Sequence, residues 1–391
     1  MSISRLEQIF EDRFWLHGEV FDETTLPEPM NLLYEIPIYY LTSALETAKT
    51  PIGKSFPFLA RYVTNGSFNA AACDTEDGGL VCIHASVPIL LLIACVSYAT
   101  RCNVGTALPK EQEGMLIIYD EKITLLGRLA DIDITPEKLI GSFEELWHKL
   151  SFTDSKDRVF QYGLFLYEIA IRFIAMHECM HIILGHTAYL EKKLGINVLV
   201  EFSSQREEQI QLELGQSLEF LADRNAACGI LSQTLNGNSL HDYGKQAPNF
   251  LEVDFSTFIT RSVVQAICIL MHQFPYKLEN QLNDTLLKTH PHPYIRMQWM
   301  NTEMGAFITP EEKFSERIVL PFAYATATLS TNFVTPNSWI SVNSQNINYS
   351  NDKMFSDFSY KQISQNAKNL QDKMWNLAPV YKGFVKGWKQ N

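Results

Sequence analysis

Residues 177–181 read His-Glu-Cys-Met-His, and a third histidine, His186, follows Gly185. On a helix, positions i and i+4 share one face, about 5–6 Å apart at Cβ. His177 and His181 at that spacing bring two imidazoles within reach of one tetrahedral ion, whose nitrogen ligands lie at about 2.0–2.1 Å. Glu178 stands one residue on, about 100° around the helix. From there its carboxylate can reach a metal-bound water without itself being a ligand. Such a centre needs a third protein ligand and an open position. Five residues match a pattern by chance often enough that the surrounding elements must decide.

The best third ligand is Glu219, in Glu219-Phe220-Leu221-Ala222-Asp223, 38 residues after His181. Asp223 is one turn further along the same face. That pairing suits a ligand followed by a carboxylate that receives the other N–H of a metal-bound histidine. The competing reading is an exposed face on which two acids repel each other. Glu207 and Glu213 fit that description; Glu219 and Asp223 sit among Leu218, Phe220, Leu221, Ala222 and Ala226, which points to burial. His186 is the rival third ligand and a candidate for lining the cleft. The longer metzincin pattern, with Gly three residues after the second His and a third His three further on, fails, because Leu184 and Thr187 hold those positions. Cys179 turns away from the His177/His181 face and reads as packing. A further cluster, Thr289-His290-Pro291-His292-Pro293-Tyr294-Ile295-Arg296, has prolines that stiffen the backbone ahead of a helix; a surface turn competes with a cleft role.

The element carrying the first motif spans Asp157 to Met176 before it and is apolar almost all round. Such a helix belongs in a core, where titratable groups are costly unless paired or ligated to a metal. Thr153 or Ser155 can cap its start and Gly185 its end. A second helical piece runs from Thr187 to about Leu194 and stops at Gly195. Ser203-Ser204 open a long helix that carries Glu219 and Asp223, residues 233–250 form a polar loop, and helices follow over Phe255–Phe274 and from Tyr294 to about Met304. Upstream, Ser67–Cys73 and Leu80–His84 flank an acidic glycine-rich turn and read as a β-hairpin. A helix over 87–102 follows, then a strand pair within 115–127 and a helix over 136–150. Residues 1–60, punctuated by five prolines, predict helices and irregular links. After Pro310 the pattern gives a helix to about Leu329, an Asn/Ser-rich stretch and a last helix around Lys361–Trp375.

The fold class is therefore α+β and predominantly helical, in three regions. Residues 1–150 carry the hairpin edge (67–84), 151–305 form a helical core with the metal site, and 306–391 are a mostly helical extension. With 46% apolar and 19% charged residues the chain can bury a sizeable core. A net charge of -12 and the lack of a basic stripe speak against nucleic acid as the main partner and against polybasic membrane docking. The most apolar run, Val87–Ala99, is shorter than the roughly 20 residues a membrane span needs. The N-terminus has no apolar segment of signal-peptide type. Seven scattered cysteines without a CxxC pair predict reduced thiols in a cytoplasmic protein.

Taken together, His177-Glu178-Cys179-Met180-His181, Glu219…Asp223 and His290-Pro291…Arg296 resemble the gluzincin metallopeptidases, in the branch with HExxH, then ExxxD, then HPxxxxR. Lacking membrane spans, the chain looks closest to the Lit-type phage-exclusion peptidase family, over about residues 65–300. The resemblance implies a zincin-like core with a small β-sheet packed on the HExxH helix. It implies one Zn2+ per chain held by His177, His181 and Glu219, with Asp223 in support and Glu178 as general base. His290 and Arg296 would line the cleft and stabilise the oxyanion, with His292 the alternative to His290. Asn69-Ala70-Ala71-Ala72 looks like the branch's strand that pairs with substrate backbone. Cys179-Met180 departs from the branch, and a bulky Met180 would narrow the site.

These expectations describe a zinc-dependent endopeptidase acting on a protein or peptide substrate, as in limited proteolysis of a cellular target, with an activating partner compatible with that scheme. A non-catalytic, metal-stabilised binding or sensor protein is the alternative from another class.

Overall fold

The computed structural model describes residues 3–26, 28–46, 57–101, 158–196, 198–200, 212–236, 255–273, 293–308 and 349–374. Nine α-helices occur among them: α1 (Ile3–Phe14), α2 (Glu28–Glu46), α3 (Ser86–Arg101), α4 (Arg158–Ile183), α5 (His186–Leu194), α6 (Leu212–Leu235), α7 (Phe255–Met271), α8 (Pro293–Ile308) and α9 (Tyr349–Met374). Five strands accompany them: β1 (Val20–Phe21), β2 (Phe58–Val63), β3 (Ala70–Thr75), β4 (Gly78–His84) and β5 (Leu199–Val200). The class is α+β, mostly helical.

α4 is the axis of the molecule. α2, α3, α6, α7 and the inner face of the sheet all pack on it. That accounts for a sequence apolar on every side: Phe165, Leu166, Tyr167, Ile169, Ala170 and Ile171 are all fully buried. Each such large side chain contributes about 1.5–3 kcal/mol on leaving water. α3 crosses α4 at Gly163, where a Cβ would lie 2.9 Å from the Cα of Val96, so no larger residue fits at that crossing.

The sheet has the order β1-β2-β4-β3-β5. β2 and β4 run parallel, with Leu59 opposite Leu80 and Tyr62 opposite Ile83. β3 and β4 form the expected antiparallel hairpin, Ala70 opposite Ile83 and Thr75 opposite Gly78. Alternation along the strands gives two different faces. Tyr62, Ala70, Ala72, Val81 and Ile83 join the main core. Val63, Ala71, Cys73, Leu80 and Cys82 face the other way, into a smaller cluster closed by Leu6, Phe10 and Phe14 of α1. Tyrosine hydroxyls join the layers: Tyr34 donates to the carbonyl of Ala85 at 2.6 Å and Tyr167 to that of Leu33 at 2.6 Å.

Three elements differ from the sequence reading. β1 and β2 lie in the proline-punctuated segment expected to hold helices and links. β2 is covered on both faces, so it lacks the apolar–polar alternation that marks a half-buried strand. α9 starts at Tyr349, inside the Asn/Ser-rich stretch, and packs on α6 and α8. The elements expected over 115–127, 136–150 and 310–329, and the start of the long helix at 203–211, lie outside the described residues.

Among the described residues no helix is long and apolar enough to cross a membrane. Cys73, Cys82, Cys95, Cys179, Cys228 and Cys268 are free and buried.

Candidate metal centre

α4 delivers His177 and His181 one turn apart at its C-terminal end, and α6, packed alongside, delivers Glu219. All three are buried, at 3%, 1% and 2% exposure. Their donor atoms converge. Nε2 of His177 is 3.0 Å from Nε2 of His181. Oε2 of Glu219 is 3.4 Å from the first nitrogen and Oε1 is 3.7 Å from the second. Ligand atoms about 2.0–2.1 Å from a tetrahedral ion stand about 3.3 Å from one another; the three observed separations bracket that value.

The outer nitrogens explain why the inner ones converge. Nδ1 of His177 faces Oδ1 of Asp223 at 3.0 Å. A carboxylate oxygen accepts, so this contact favours the neutral tautomer with the hydrogen on Nδ1 and a lone pair on Nε2, although the pair is not aligned as a regular hydrogen bond. Nδ1 of His181 faces Nδ1 of His186 at 2.9 Å. His186 is held neutral: burial first, and then the neighbouring His181, push its pKa well below the usual histidine value. A neutral His186 can accept the Nδ1 hydrogen of His181. That leaves two lone pairs facing each other at 3.0 Å, an arrangement that a cation between them relieves. The donor set thus fits a divalent metal ion.

Asp223 is itself fixed. Nε of Arg296 donates to its Oδ2 at 2.8 Å, and a terminal nitrogen of Arg296 donates to its Oδ1 at 2.8 Å. Arg296 also lies 3.3 Å from Oε2 of Glu219. This two-pronged pair is geometrically specific. With Arg296 1% exposed, it offsets the cost of burying two carboxylates side by side. Sequence reasoning placed Arg296 with His290 at the cleft, as oxyanion donors; in the structure its guanidinium borders the pocket and also braces Asp223 and Glu219. A signal for this existed: an acceptor-only carboxylate buried on α6 requires a cation, and α8 supplies one. His186, weighed as a ligand or cleft residue, instead contacts the ring of His181. Gly185 makes that possible, because its left-handed φ of 77° breaks the helix and starts α5 back toward the site.

Glu178 is 2% exposed and borders a small pocket with His177, Phe173, Asn69, Ala70 and Arg296. Cys179 is packed on the opposite side, its thiol pushed well up by burial and then by the charge of Glu178. Asn69 and Ala70 therefore stand beside the centre. Ala71 and Ala72 do not offer a free edge, since β5 pairs with them, Val200 opposite Ala71 and Leu199 opposite Ala72. An added strand at those two positions would have to displace β5. Asn69 Oδ1 accepts from the backbone N–H of Ala70 at 2.9 Å. His290 and His292 lie outside the described residues.

Compared with family models, curated proteins and solved structures, the chain matches none.

Proposed function

We propose that the protein is a zinc-dependent endopeptidase with a zincin-like core. The observation that carries this is the joint position of two groups. His177, His181 and Glu219 converge their donors, and Glu178, one residue along α4, borders the same pocket without joining them. Two imidazoles and one carboxylate with a remaining open position are the donor set of catalytic rather than structural zinc. When bound, zinc supplies Lewis-acid polarisation of a scissile carbonyl and acidifies water. The chain's own residues do the rest. Asp223 and His186 hold the two imidazoles in the tautomer that presents Nε2. Arg296 keeps Asp223 aimed. Glu178 takes the proton of the attacking water and delivers it to the leaving amine. Phe173, its ring 6.1 Å from that of His177, keeps one side of the site dry.

Burial favours a second reading. The residues of the centre are almost wholly enclosed, and β5 occupies the strand edge nearest them. A metal-stabilised sensor, or a peptidase that a partner must open, fits that enclosure. Comparison of new protein N-termini in cells expressing wild type and Glu178→Gln separates the readings. New termini that require Glu178 support the peptidase. Metal-replete protein that yields none, with or without cell extract, overturns it in favour of the sensor.

A further inference from the structure

The outer face of the sheet carries a second convergence of ligand-type side chains, His17, Cys82 and His84. One donor atom from each lies within 4.8 Å of the others. Cys82 and His84 alternate along β4, so both project to the face covered by α1, away from the α4 centre. His17 reaches them from the turn that ends α1. That turn is fixed at both ends of the residue: the N–H of His17 donates to the carbonyl of Phe14 at 2.8 Å, and the carbonyl of His17 accepts from Nδ2 of Asn65 at 2.8 Å.

The ring nitrogens are arranged as in the α4 centre. Nδ1 of His84 faces the carbonyl of Ser67 at 3.1 Å and its hydroxyl at 2.9 Å. The carbonyl only accepts, so Nδ1 carries the hydrogen and Nε2 offers its lone pair. That Nε2 stands 3.0 Å from Nδ1 of His17. Burial, then the proximity of His17, lower the pKa of His84 to about 4, which keeps its ring neutral at neutral pH.

We propose that His17, Cys82 and His84 form a second zinc site, with a water in the fourth position on the half-exposed side of His17. Two imidazoles and a thiolate suit a borderline-soft ion better than magnesium or calcium. No electron changes hands on binding. The S–H bond of Cys82 breaks, its proton leaves to solvent, and a metal–sulfur bond forms. His17 moves its ring proton from Nδ1 to Nε2 and binds through Nδ1; His84 binds through Nε2 and keeps its hydrogen on Ser67. The ion would tie the end of α1 to β4 and, through Ser67, steady Phe68 and Asn69 at the rim of the Glu178 pocket. This inference does not rest on the peptidase reading, since the two donor sets share no residue.

Cobalt substitution tests it under reducing conditions. The α4 donor set has no sulfur, so only a site containing Cys82 gives thiolate-to-cobalt charge-transfer absorption in the near ultraviolet. Cobalt-loaded wild type should show this band with two metals per chain. His181→Ala should keep the band and lose one metal. His17→Ala, which alters only a half-buried turn, should weaken cobalt binding at the banded site by more than the roughly 10–100-fold typical of a lost supporting group. Cys82→Ser should abolish the band. Absence of the band in folded, cobalt-loaded wild type overturns the proposal, as does a band that survives Cys82→Ser. Should Cys82→Ser not fold, the wild-type spectrum and the His17→Ala titration still decide.

Discussion

Two histidine pairs on opposite sides of one small sheet have the same 3.0 Å nitrogen separation, but the polar groups behind them differ. On the inner side the support behind His177 is ionic, Asp223 with Arg296 behind it, while the neutral ring of His186 stands behind His181 and Glu219 is the third donor. On the outer side the support is neutral, a backbone carbonyl and a hydroxyl of Ser67 behind His84, with a thiol as third donor. A carboxylate behind an imidazole raises its basicity as a ligand, and a peptide oxygen does so less. The inner arrangement therefore favours tight, permanent metal retention. The outer one, with His17 half-buried, favours exchange. Among the described residues, only the inner group has a further carboxylate beside it, that of Glu178, which borders the adjoining pocket.

The largest expected effect follows from that last difference. Glu178→Gln preserves shape and removes the base, so turnover of a cleavable substrate should fall about 10²–10⁴-fold. Metal content at both faces should stay at the wild-type level. Kinetics with metal analysis on the same preparation check this. Undiminished turnover would mean that the inner face differs from the outer one in affinity alone.

Arg296 separates two roles that predict different readouts. As an oxyanion donor, its loss would lower kcat with zinc intact. As the brace of Asp223 and Glu219, its loss leaves buried carboxylates uncompensated. Arg296→Met should then cost about 3–5 kcal/mol of stability and weaken inner metal binding by about 10–100-fold, with the outer site unchanged. Denaturation curves and competitive chelation measure both. A stable, fully metallated Arg296→Met with a depressed kcat would return the residue to the oxyanion.

Much of the inner centre was legible because helical periodicity does the positioning. His177 and His181 at i,i+4, and Glu219 and Asp223 at i,i+4, each fix two side chains on one face. The apolar surroundings of both pairs placed those faces inward. What the sequence did not reveal depends on tertiary approach. Arg296 is 73 residues from Asp223, and His17 is 67 from His84. No spacing rule connects such pairs. β2 was missed for a related reason: buried on both faces, it offers no alternation. Cys82 and His84, two apart on a strand, did carry a readable hint, because period-two spacing puts both on one face.

The smallest expected effect probes the neutral support on the outer face. Ser67→Ala removes the hydroxyl 2.9 Å from Nδ1 of His84 but leaves the backbone carbonyl at 3.1 Å. The hydrogen on Nδ1 keeps an acceptor, so the ring keeps its tautomer and Nε2 its lone pair. Asp223→Asn has no such fallback, because Arg296 and His177 both depend on the charge it deletes. Outer-site cobalt affinity in Ser67→Ala should drop by about tenfold at most, the low end of the range for supporting groups, and inner-site affinity in Asp223→Asn should drop toward about 100-fold. Parallel titrations, read by the thiolate band for the outer site and by chelator competition for the inner one, give both numbers. If Ser67→Ala is the more damaging of the two, the hydroxyl orients His84, and the contrast between an ionic and a neutral support is the wrong description of how the two faces differ.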